Sequence, residues 1–133
     1  MVLRVVLGQP GPRAPLGADE VVVSSELVRI EVMRTLDRLR VSGALSDGEH
    51  LARSTSALAL LATMHLFPLA DEVVDASCEK YAIEVSSLCA IHVATALQVS
   101  REVDGLQVWT HHPPQAIAAL TRGLDVRGRA IRV

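Results

Sequence analysis

The stretch DEVVVSSELVRIEVMRTLDRLR, residues 19–40, changes its hydrophobic period partway along, and that change decides the fold class. Asp19 to Ser25 holds three consecutive valines, the pattern of a short buried strand. The hydroxyl of Ser24 or Ser25 can then cap a helix by accepting from the free N–H groups of its first turn. Glu26 adds a favourable negative charge at that end. The helix is expected to run to about Arg40, with Leu27, Ile30, Leu36 and Leu39 near helical spacing.

Working outward, the alternation of strand and helix repeats. Upstream, MVLRVVLG (1–8) is rich in β-branched residues and favours a strand by propensity. Residues 8–17 hold three prolines and three glycines and read as a loop. Downstream, Gly43 and ALSDGEH (44–50) close the first unit. A second helix is expected from about Gly48 to His65, well buried from Ala57 onward. LFPL (66–69) reads as a short strand, and Asp71 to Ala82 as a helix that ends in KYA. Ser86 and Ser87 are good caps for a helix ending near Arg101, before the Asp104–Gly105 turn signal. LQVWT (106–110) is a strand, Pro113–Pro114 open a short helix that ends at Gly123, and LDVRG (124–128) is a last strand. The alternation predicts an α/β fold with a parallel sheet covered on both faces.

A chain of 133 residues is one domain by length, 1–133, and can bury a core without staples. Its only aromatics are Phe67, Tyr81 and Trp109, too few for a base-stacking platform. The net charge of −2 provides no global field for phosphate. Affinity for RNA would need a local patch drawn from Arg29, Arg34, Arg38 and Arg40 or from Arg122, Arg127, Arg129 and Arg132. The plainer reading of both groups is a solvated face. Cys78 and Cys89 form no disulfide framework, and no apolar run has the length of a membrane span or the form of a secretory signal. A cytoplasmic, reducing setting is the expectation.

Three segments then stand out together: SSELVRIEVMRTLDRLR (24–40), SSLCAIHVATAL (86–97) and LQVWTHHPPQAIAAL (106–120). In order and spacing they resemble the PIN-domain nucleases, and among these the small ribonuclease toxins of the VapC type. Ser25, Glu31 and Arg34 match the family's first motif. Leu88, Ala90, Ile91, His92, Ala94, Thr95 and Ala96 match the second, with Cys89 where the family has an aspartate. Thr110 matches the third, with His112 in place of another aspartate. The resemblance covers roughly residues 1 to 127. It implies a three-layer α/β/α domain with a parallel sheet, whose first strand lies before everything seen here. On that alignment MVLRVVLGQPG corresponds to the family's first helix and the following loop.

The resemblance further implies a toxin–antitoxin endoribonuclease that uses Mg or Mn, forms a homodimer, acts on RNA and has an antitoxin-like partner. Glu31, on the helix after the first strand, Cys89, in the first turn of its helix, and His112, just after a strand, would converge at the carboxyl ends of the strands, where open parallel sheets bind ligands. Only Glu31 of the three brings a carboxylate. Hard divalent ions need several charged oxygen ligands, so this chain is expected to hold them weakly and to be catalytically impaired, acting as a binding module. The alternatives are an active nuclease whose first aspartate lies in an upstream extension, and a soft-metal or thiol site built from Cys89, His92 and His112. Each residue also has a plainer role. Glu31 can pair with Arg34, Cys89 can be a core residue, His92 can be a packed histidine, and His111 and His112 can be loop residues.

Overall fold

The computed structural model describes residues 20–128. The expectations for MVLRVVLG, for the loop at 8–17, for Asp19, and for Arg129 and Arg132 lie outside those residues. The described chain falls into two compact units, residues 20–67 and residues 68–128. Helices alternate with short parallel strands in an α/β arrangement.

The first unit is β1 (Val23–Ser25), α1 (Leu27–Val41), α2 (Asp47–Ala62) and β2 (His65–Phe67). β1 and β2 are parallel, with Ser24 opposite Leu66. The strand is shorter than the expected 19–25, and Val21 is largely exposed. The Ser25 hydroxyl accepts from the Leu27 N–H at 3.3 Å, but the N-cap position of α1 is Glu26, one residue later than the expected serine, and it makes no side-chain cap. The buried seam of α1 is Val28, Val32 and Leu36, spaced by four, against Ala57 and Leu61. Ile30, expected on that seam, is 60% exposed. Two residues beyond Val28, it is turned about 200° round the axis.

α2 starts one residue before the expected Gly48. Its start is a reciprocal cap: the Ser46 hydroxyl accepts from the Glu49 N–H at 3.2 Å, and the Glu49 carboxylate accepts from the Ser46 N–H at 2.8 Å. It ends at Ala62, short of His65, because the His65 N–H donates to the Val22 carbonyl at 2.8 Å and so belongs to β2. Its later turns are buried on one face only, through Ser54, Ala57 and Leu61, while Leu58 is 53% exposed. The hydrogen bonds from Ser46 hold the Glu49 carboxyl below the usual range. A carboxylate lowered in the folded state stabilises fully above its unfolded value of 4.5, and that help is lost as pH falls through the folded value. Ser46→Ala removes the hydroxyl that accepts from the Glu49 N–H and is expected to lower stability by about 1 kcal/mol at neutral pH, the usual cost of losing an N-cap. Urea denaturation across the acid range should show the gap to the unaltered protein narrowing in part as pH falls, because the variant loses the hydroxyl's hydrogen bond to the Glu49 carboxylate but keeps the backbone one.

The second unit is α3 (Asp71–Ser77), α4 (Ser87–Glu102), β3 (Gln107–Trp109), α5 (Pro113–Thr121) and β4 (Asp125–Arg127). β3 and β4 are parallel, with Val108 opposite Val126 and α5 as the connection between them. Val93, Ala118, Ala119 and Leu124 form the core, with Val108 and Val126 against it. α3 stops at Ser77, five residues before the expected Ala82. The chain leaves the helix there so that Tyr81 can pack on that core and donate its hydroxyl to the Ala90 carbonyl at 3.2 Å. Arg122 holds the same segment. Its guanidinium lies 4.7 Å from the Tyr81 ring centre, 2.7 Å from Glu79, and donates to the Lys80 carbonyl. Burial pushes the Tyr81 phenol up. α5 opens on Pro113 and Pro114 as expected, and Gly123, at φ +82°, ends it.

Among the described residues the strands pair as two two-stranded sheets, where the sequence suggested one continuous sheet. No helix among them is long and apolar enough to cross a membrane.

Candidate functional site

α4 begins on Ser86, whose hydroxyl accepts from the Cys89 N–H at 3.3 Å. That is one of the two serines expected as caps. The cap sets the first turn, and the first turn directs Cys89 inward, where it is 6% exposed. Facing it is the segment that leaves β3. Thr110 is 5% exposed, and its hydroxyl accepts from the His112 N–H at 3.1 Å. This turn, followed by two prolines, places His112 at the N-cap of α5. The outcome is a contact between two residues 23 apart in sequence: Cys89 Sγ lies 3.4 Å from His112 Nδ1. Cys89 is buried and His112 is exposed, so the pair runs from the core of this unit to its surface.

The neighbouring histidine has a different task. His111 Nδ1 is 2.8 Å from the Gly128 carbonyl, and since a carbonyl only accepts, that nitrogen carries the proton. Gly128 has φ +76°, and a Cβ on it would come 3.0 Å from Trp109 Cε3. His111 thus fastens the ends of β3 and β4 together, a role not foreseen for it.

Of the residues singled out in the sequence, Cys89, His112 and Thr110 come together in the second unit. His92 is half-buried on α4, three residues beyond Cys89. Among the described residues no group of three or more His, Cys, Asp or Glu side chains is arranged to hold a metal ion. The Cys89–His92–His112 triad considered for zinc is therefore not formed. Ser25, Glu31 and Arg34 belong to the first unit. Ser25 is 1% exposed and Glu31 is half-buried on α1. Arg34, for which Glu31 was the expected partner, is 3.0 Å from Asp37, and Arg40 reaches the other oxygen of Asp37 at 2.8 Å. Hydrogen bonding from Arg40, with the charges of Arg40 and Arg34, holds the Asp37 carboxyl below its usual range. Asp37 was missed, although its spacing of three from both arginines was a readable signal. Arg122 and Arg127 are likewise paired, with Glu79 and Asp125. These pairings favour the solvated-face reading of the arginines over a phosphate patch.

A thiol and an imidazole at this distance can share a proton, and both are soft or borderline donors. Neither brings the fixed negative charge that Mg or Mn requires, so this pair does not fit a hard divalent ion. Comparison of the chain with family models, with curated proteins and with solved structures finds no match.

Proposed function

We propose that this chain is a PIN-like, VapC-type domain, of three-layer α/β/α architecture, whose nuclease centre has lost its acids and which serves as a binding module. One observation carries the reading. The two positions where the resemblance expects aspartates, Cys89 and His112, are far apart in sequence and in contact in the fold. Residues that once shared a metal would have that relation. The element order also supports it: Glu31 follows β1 on α1, Cys89 lies in the first turn of α4, and His112 follows β3.

On this reading Mg or Mn, if bound, would be held weakly through Glu31, and Ser25, Arg34, His92 and Thr110 persist as supporting scaffold. The partners are RNA held without cleavage or an antitoxin-like protein, and the working form is a homodimer in the cytoplasm. A cleavage assay on single-stranded RNA with millimolar Mg²⁺ or Mn²⁺ tests the loss of activity. Cutting is expected to stay at the metal-free background, and Glu31→Gln is expected to leave it there. Robust metal-dependent cutting that Glu31→Gln abolishes would establish the active endoribonuclease instead.

A further inference from the structure

We propose that Cys89 and His112 form a peroxide-reactive thiol site, with His112 as the base and a small hydroperoxide as the substrate. This does not depend on the PIN-like reading, since it follows from the pair itself. Four features converge on the sulfur. His112 Nδ1 is within proton-transfer reach at 3.4 Å. Cys89 sits in the first turn of a sixteen-residue helix, the end at which negative charge is favoured. His112 is held by the Thr110 hydroxyl and by its N-cap position, so the base is oriented before any reagent arrives. The pair lies at the carboxyl end of β3, the edge of a parallel strand pair where ligands are usually met.

Burial selects the reagent. With Cys89 6% exposed, the sulfur suits a small reagent rather than a bulky one, and His112 beside it is exposed. In the step proposed, His112 Nδ1 takes the Sγ proton. The sulfur electron pair forms a bond to the nearer peroxide oxygen as the O–O bond breaks. The leaving hydroxide takes the proton back from the imidazolium and departs as water. The sulfur is oxidised to a sulfenic acid, and the peroxide is reduced.

The chain carries its own reference. Cys78 is also a free thiol, is exposed, and caps the C-terminus of α3, the helix end that disfavours an anion. The test is a brief pulse of dilute hydrogen peroxide on the full chain, then denaturation into dimedone and mass spectrometry of the two cysteine peptides. Cys89 is expected to oxidise about tenfold faster than Cys78 despite its burial. His112→Ala and His112→Asn are each expected to bring Cys89 to the Cys78 rate or below. Asparagine keeps a good N-cap for α5, so that variant separates loss of the base from loss of the helix start. Equal or slower oxidation of Cys89 in the unaltered protein would overturn the proposal, as would an unchanged rate in both folded variants. Should either variant melt early, the ratio of the two rates in the unaltered protein decides alone.

Discussion

Leu36→Ala is expected to lower the unfolding free energy by about 2–5 kcal/mol, a large share of the roughly 5–15 kcal/mol that holds a typical domain. Leu36 is 0% exposed and is the largest fully buried side chain among the described residues. It ends the α1 seam that begins with Val28 and Val32, and this seam, with Ala57 and Leu61 of α2, makes the core of the first unit. Removing its methyl groups forfeits their transfer from water and leaves a cavity that the surrounding side chains close only partly. Ile30→Ala removes similar apolar bulk from the same helix at an exposed position, and should change stability by no more than about 0.5 kcal/mol. Urea denaturation followed by far-ultraviolet circular dichroism compares the two. A midpoint for Leu36→Ala no lower than that for Ile30→Ala would mean that the α1–α2 seam is wrongly phased.

The second large effect is a gain. Cys89→Asp combined with His112→Asp would set two carboxylates where a sulfur and a nitrogen now lie 3.4 Å apart. Without a cation they repel, and the one replacing Cys89 is largely desolvated, so the double variant should melt below the unaltered protein in chelator. Manganese would find hard, charged oxygen donors there. At a hundredfold excess over its dissociation constant it should return about 2.7 kcal/mol, or about 10 °C of melting temperature for a chain of this size. The unaltered protein should not respond. Thermal melts with chelator and with Mn²⁺ read this directly. An equal shift in both proteins, or none in the double variant, would count against the lost-acid reading of these two positions.

What could be read in advance was local. The cap on Ser86, the two prolines opening α5 and the glycine ending it each depend on residues within one turn, and all are found, whereas the N-cap position of α1 falls on Glu26 rather than on the expected serine. The alternation of β-branched runs with helical periods likewise predicts the α/β class without knowledge of packing. The other errors arose where a choice was not local. In α1, Leu27, Val28, Ile30, Val32 and Leu36 offer overlapping apolar stripes, and only the approach of α2 selects the one through Val28. In the segment after α3, nothing nearby forbids a longer helix. The pull comes from Tyr81 reaching Ala90 and from Arg122, which lies forty-one residues beyond Tyr81 in the numbering.

The same division holds for the candidate site. Sequence alone determined that Cys89 occupies a first helical turn and that His112 precedes two prolines, because backbone capping and proline geometry are short-range. The tertiary structure decided that these two face each other and that His92 does not complete a three-ligand set. The contact between Cys89 and His112 depends on how the residues after β3 meet the start of α4. A hydrogen bond spanning 23 residues has no counterpart in local propensity, since its partners meet only after the core between them has closed.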